Sequence, residues 1–215
     1  VEAQLAEADA QARMTIAVQT AQPDEGLLTV TFPVVSGILP LTPAGRHDEV
    51  LKTRGLGRTE PSPTVTGKAV KVGFMKVQFT ALIGEGRGLY IAEEDGAGNR
   101  KECVWEAEGA GGRIGLSLSH PVLGWGGQQP VGEYRISGPV VLGPFEGDWF
   151  DAARIYRKWA LTAPWCRKGP ICKRADYPQW FARLPYWTNG YVIDEGGVRR
   201  EIEKHDFFDL PENVY

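Results

Sequence analysis

The stretch FTALIGEGRGLYIAEED, residues 79–95, decides what kind of fold this chain can have. Its centre, GEGRG at 84–88, has the glycine spacing of a phosphate-cradling loop, but a dinucleotide-binding turn must open a helix. The next residues are LYIAEED, whose aromatic and β-branched side chains predict a strand. The glycines are therefore read as a hairpin turn between two antiparallel strands.

Working outward, the same pattern recurs. Short apolar runs lie at KVGFMKVQFTALI (71–83), GLYIAEED (88–95), RKECVWEAE (100–108), RIGLSLSH (113–120) and EYRISGPVVLGPF (133–145). Runs of this length at 8 to 12 residue spacing, punctuated by glycine, predict a β-sandwich or barrel. Upstream, LLTVTFPVV (27–35) and RMTIAVQT (13–20) read as further strands on either side of a PDEG turn. Between Ala6 and Val18 every even position is apolar, the period of a half-buried strand, although the Ala, Glu and Gln of residues 2–12 favour helix by propensity. The period predicts a hairpin turning near Asp9. Residues 40–70, rich in Pro, Gly and Thr, show no sustained period and are expected to form a long surface excursion.

The pattern changes at GDWFDAARIYRKWALTAPWCRKGP (147–170). Trp149, Ala152, Ala153, Tyr156, Trp159 and Ala160 recur at intervals of three and four, which predicts an amphipathic helix near 148–162. Asp148 is placed to cap it, with Asp151 three residues on, and Pro164 stops it. These carboxylates could also form a general acid/base pair, but capping accounts for both. Eleven of the chain's 22 aromatic residues lie between Trp149 and Tyr191. On the helix their period predicts core; beyond it, Trp187 and Tyr191 are equally open to a role as sugar-stacking platforms.

The 24 basic and 27 acidic residues give a net charge of −3 without a basic stripe, which argues against a nucleic-acid partner. No apolar run is long enough for a membrane-spanning helix. The three cysteines, Cys103, Cys166 and Cys172, include no C-x-x-C pair and have no histidine at metal-ligand spacing, so they read as free thiols, with a Cys166–Cys172 disulfide open if the protein is exported. Compartment stays open. In EDGAGN (94–99), Asp95 and Asn99 do not have the spacing of a calcium loop and predict a turn. No cofactor or metal is expected. The chain starts at Val1 inside an alternating pattern, which suggests a fragment of a longer protein.

Taken in order, FPVVSGI, FTALIGEGRGLYIAEEDGAGNRK, FEGDWFDAARIYRKWALTAPWCRKGP and YPQWFARLPYW resemble an uncharacterised bacterial family of glycoside hydrolases. In that family a β-supersandwich of galactose-mutarotase-like type precedes a (β/α)₈ barrel, as in endo-α-N-acetylgalactosaminidase-like enzymes. The more specific marks are Gly88, Leu89 and Tyr90 with Asp95 and Gly98, and the run from Gly147 to Ala160. The resemblance implies a sandwich over 1–146, a helix and aromatic linker over 147–183, and the start of a truncated barrel over 184–215. LPYWTNGYV would be the first barrel strand, with Trp187, Asn189 and Tyr191 as substrate-binding residues.

The implied function is that of an amino-terminal accessory part of a carbohydrate-active glycoside hydrolase. It would pack against a carboxy-terminal barrel, bind carbohydrate and lack catalysis of its own. Glycosidic cleavage needs two carboxylates about 5 to 9 Å apart, and the partner strands of a barrel are missing. Asp194 and Glu195 are expected in a polar loop as solvated charges. A second function, a stand-alone carbohydrate-binding sandwich, would use exposed rings such as Trp105 or Trp125. A third, a mutarotase-like isomerase, would need a histidine and a carboxylate, with His47, His120 and His205 available.

Overall fold

The computed structural model describes residues 1–6, 10–21, 25–53, 57–73, 75, 77–122, 132–178 and 194–207. It divides into two compact units, Val1–Arg167 and Lys168–Tyr215. The first is a β-sandwich built from antiparallel sheets, as the strand spacing predicts.

Its strands are β1 (Glu2–Ala6), β2 (Gln11–Thr15), β3 (Ala17–Gln19), β4 (Thr29–Ile38), β5 (Glu49–Lys52), β6 (Arg58–Pro61), β7 (Val70–Val72), β8 (Phe79–Gly84), β9 (Arg87–Glu93), β10 (Glu102–Glu108), β11 (Arg113–Pro121), β12 (Glu133–Arg135) and β13 (Val140–Glu146). A seven-stranded sheet has the order β1-β2-β13-β9-β8-β5-β6, a four-stranded sheet the order β4-β11-β10-β7, and β12 pairs with β3. The turn between β8 and β9 is a two-residue loop, with Gly84 opposite Arg87 and positive φ at both Glu85 (47°) and Gly86 (77°). Positive φ at both central residues matches the twist of antiparallel strands, which is why a glycine stands there.

The seven-stranded sheet is covered on both faces, and alternation along its strands sorts side chains between two cores. Val50, Leu82, Ile91 and Val140 point into the sandwich, where they meet Val72, Cys103, Trp105, Ile114, Leu116 and Leu118 of the four-stranded sheet. Their neighbours Leu51, Ala81, Tyr90, Ala92 and Val141 point the other way, against the helix α2 (Trp149–Ala160). This double covering explains why β8 and β9 read as almost continuous apolar runs.

The helix sits where its period changes the pattern. Gly147, at φ 112°, donates its N–H to the carbonyl of Gly86 at 2.7 Å, so the helix start is tied to the hairpin turn. The Asp148 carboxylate accepts from the N–H of Phe150 at 2.7 Å and the Asp151 carboxylate from the N–H of Asp148 at 3.2 Å, forming a capping box. Ala152, Ala153, Ile155 and Tyr156 face the sheet. Trp149 does not: it is 55% exposed, in edge contact with Phe150. Asp148→Ala is expected to cost about 1 kcal/mol in denaturant melts through loss of the cap.

Several boundaries differ from the sequence expectation. Residues 40–70 are not a plain excursion but contain β5, β6 and a one-turn helix, α1 (Pro63–Thr66). Val50 and Leu51 are too short a run to show a period, yet each is buried in a different core. Three runs read as single strands are each cut in two, at Ile16, between Val72 and Phe79, and between Arg135 and Val140, with the halves in different sheets. At the last break Gly138 passes so close to the backbone of Glu94 that a Cβ would overlap it. β1 pairs antiparallel with β2, but as an edge strand it is exposed on both faces over residues 2–5 rather than half-buried; residues 7–9, around the expected turn, lie outside the described residues. The third helix, α3 (Glu195–Phe207), belongs to the second unit. Glu195 is therefore helical and not in a loop, and Asp194 precedes it, its carboxylate accepting from the N–H of Gly197 at 2.7 Å. LPYWTNGYV, the expected barrel strand, lies outside the described residues.

Candidate functional site

Among the described residues of the sandwich unit, two gatherings of polar side chains bear on function; a third, Asp48 with Thr42, only closes its own loop. The first is inside the sandwich core. Glu93 ends β9 in the same inward phase as Leu89 and Ile91, and His120 lies near the end of β11 in the phase of Leu116 and Leu118. The loop between β9 and β10 adds Asp95 and Lys101, and Gln78 precedes β8. Glu93, Asp95, Lys101 and His120 are each no more than 1% exposed.

Lys101 is the hub. Its ammonium lies 2.9 Å from the Asp95 carboxylate and 3.6 Å from that of Glu93, and it also donates to the side-chain carbonyl of Gln78. Asp95 further accepts the N–H groups of Ala97 (2.8 Å) and Asn99 (2.6 Å), so its loop is wrapped around the carboxylate. Burial raises the Asp95 carboxyl, but the Lys101 hydrogen bond and charge and the two backbone N–H groups outweigh it, leaving the group below the ordinary aspartate value. This also explains why EDGAGN is a turn and not a calcium loop: both carboxylate oxygens are already taken.

His120 donates Nε2–H to the carbonyl of Phe32 at 2.8 Å, because a carbonyl can only accept. Its Nδ1 then faces Glu93 Oε2 at 3.3 Å, an oxygen that has no hydrogen-bond partner. Burial, reinforced by the charges of Glu93 and Asp95, pushes the nearby Tyr134 phenol up to about 12. A histidine beside a carboxylate is the pair an isomerase would need, but with both at 1% exposure no sugar ring can reach them. The cluster is a structural network.

The second place is an open groove of about 780 Å³ between α2 and the outer face of the seven-stranded sheet. Tyr90 and Phe145 form part of its floor, beside an ion pair between Arg13 of β2 and Glu94. Burial first, then the charge of Glu94, pushes the Tyr90 phenol up, so it stays neutral. The helix contributes Asp151, Arg154 and Lys158, which lie three and four residues apart, and Ile155 and Trp159, four apart on the adjoining stripe, with Arg157 alongside. Arg154 approaches Asp151 to 3.8 Å. The Trp159 ring is partly exposed and held between Tyr156 (centroids 5.5 Å apart) and Trp165 (5.6 Å, nearly perpendicular). It is a groove wall rather than the fully buried core residue its helical period predicts.

The residues singled out in the sequence are scattered. Trp187, Asn189 and Tyr191 lie outside the described residues, as does Trp125. Trp105 is fully buried, its indole N–H donating to Thr80 Oγ1 at 3.3 Å, and so offers no platform for a glycan. His47 is exposed and does not line the groove. Cys103 is a buried free thiol pushed up by burial and therefore unreactive, and Cys166 is also free. Among the described residues no group of His, Cys, Asp and Glu could hold a metal ion. Sequence reasoning missed Lys101, Glu93 and Gln78, although a carboxylate and a histidine in the inward phase of β9 and β11 are a readable signal.

A family model described as a domain of unknown function, DUF6259, matches residues 134–215, from β12 through α2 and onward. The chain is also 33% identical over 109 residues to a Monosiga brevicollis protein named "Putative glycoside hydrolase 22789". That match covers 49% of this chain and 9% of the relative's length, so it relates the chain to a small part of a much larger protein.

Proposed function

We propose that this chain is the amino-terminal accessory part of a carbohydrate-active glycoside hydrolase, a sandwich that supports a catalytic barrel and performs no hydrolysis itself. The observation that carries this reading is the 33% identity to a protein named as a glycoside hydrolase. The state of the carboxylates supports the absence of catalysis. Asp148 and Asp151 are spent on the helix cap, Asp95 on its own loop and Lys101, and Glu93 is out of reach of solvent. In this reading residues 1–146 are the sandwich, 147–183 the connector and 184–215 the start of the barrel. Trp187, Asn189 and Tyr191 then contact the sugar at the active face, where barrel enzymes place their chemistry.

The test is kinetic and uses the full-length protein. Trp187→Ala and Tyr191→Ala are expected to lower kcat/KM for the cognate glycoside by roughly tenfold or more, as loss of a stacking ring would, while leaving the melting midpoint of the sandwich unchanged. Unchanged kinetics in both variants would remove these residues from the site. A full-length protein that turns over no glycoside would remove the hydrolase reading.

A further inference from the structure

The groove beside α2 has a charge balance that its own ion pairs do not close. Four cations and three carboxylates line it. Arg13 is paired with Glu94, and Arg154 lies beside Asp151. The third carboxylate, Glu146, forms no ion pair among the described residues, so two cations stand against one free carboxylate. Arg157 and Lys158 are exposed and have no carboxylate partner among the described residues. Attraction to the helix C-terminus accounts for basic residues in the last turn. It does not account for their placement along a concave surface, next to a tryptophan whose orientation is fixed by two neighbouring rings.

We propose that this groove binds an acidic saccharide, with a carboxylate or sulfate ester seated between Arg157 and Lys158 and a sugar ring against Trp159. The volume is in the range of small-ligand clefts, roughly 300 to 1,000 Å³. Guanidinium and ammonium groups supply charge-assisted hydrogen bonds to an anion, and an indole face suits the apolar face of a pyranose. The hydrogen-bonded pair Arg13–Glu94 adds a donor and an acceptor for sugar hydroxyls. The choice of a saccharide over other anions rests on the carbohydrate-active reading above; the site itself is separate from the barrel residues of that reading.

Isothermal titration calorimetry of the 215-residue chain tests this with three probes: a uronic acid trisaccharide, its carboxyl-reduced neutral counterpart, and a sulfated trisaccharide. At least one acidic probe is expected to bind roughly tenfold or more tightly than the neutral one, with affinity falling as salt rises. The surface double variant Arg157→Gln/Lys158→Gln should remove that preference without shifting the melting midpoint. Trp159→Ala should weaken acidic and neutral probes alike. The proposal is overturned if no probe binds, if the neutral sugar binds as well as the acidic ones, or if the double variant keeps the preference. Because the hydrolase reading is tested by turnover in the full-length protein, either can fail while the other stands.

Discussion

Lys101→Met is expected to destabilise the chain by about 3 to 5 kcal/mol, because it removes one partner of a buried ionic cluster and leaves the others uncompensated. Typical domains have about 5 to 15 kcal/mol in total, so much of the margin would go. The ammonium hydrogen-bonds Asp95 and Gln78 and neutralises the charge of Glu93 at 3.6 Å, all sealed from water. Without it two carboxylates face each other across a dry interior. Urea melts at neutral pH measure the loss. The depressed Asp95 carboxyl has a companion effect: its contribution is present above the ordinary aspartate range and is lost as pH falls through the lower folded value. Asp95→Asn should therefore be less stable than wild type at neutral pH and should flatten the acid limb of the stability profile. Equal stability of Lys101→Met and wild type would mean that the cluster is not sealed from water.

Gly88→Ala is expected to cost about 1 to 3 kcal/mol, the range for forcing an extra methyl into a packed core. Gly88 lies on β9 directly opposite Phe145 of β13, and the Phe145 ring covers it. A Cβ there would fall well inside contact distance of that ring and only 2.7 Å from the carbonyl oxygen of Leu82. The ring packs in the cluster beneath α2 and is only 9% exposed, so turning it out into the groove would cost that burial. In a Phe145→Leu background the same substitution should cost less, and a double-mutant cycle measures the difference. Additive costs would show that the ring is not what excludes the methyl.

The fold was legible where local chemistry and tertiary environment agree. The Glu85-Gly86 turn, the apolar run of β9, the alternation in β11 and the Asp148 cap each carry their signal within a few residues. The features that stayed hidden depend on distant partners. Val50 and Leu51 form a strand only because two layers bury them from opposite sides. The breaks at Ile16 and Gly138 arise because the chain crosses from one sheet to another, which apolar content alone does not reveal. Two tryptophans differ for the same reason: Trp105, which the binding-module alternative needs as a surface ring, is core, and Trp159, which its helical period predicts as core, lines a groove. The buried cluster joins residues up to 42 positions apart, from Gln78 to His120, and only the pairing of β8, β9 and β11 in two facing sheets brings them together.

The accessory, non-catalytic role is tested most directly by asking whether the 215-residue chain can cleave a glycosidic bond by itself. A panel of α- and β-linked chromogenic glycosides should show no turnover above buffer, since Asp148 and Asp151 are committed to the helix cap and Asp95 to its loop and Lys101. Cleavage by the isolated chain that is abolished by Asp148→Asn or Asp194→Asn would contradict that role, and would move the chemistry to helix starts whose carboxylates otherwise serve only as caps.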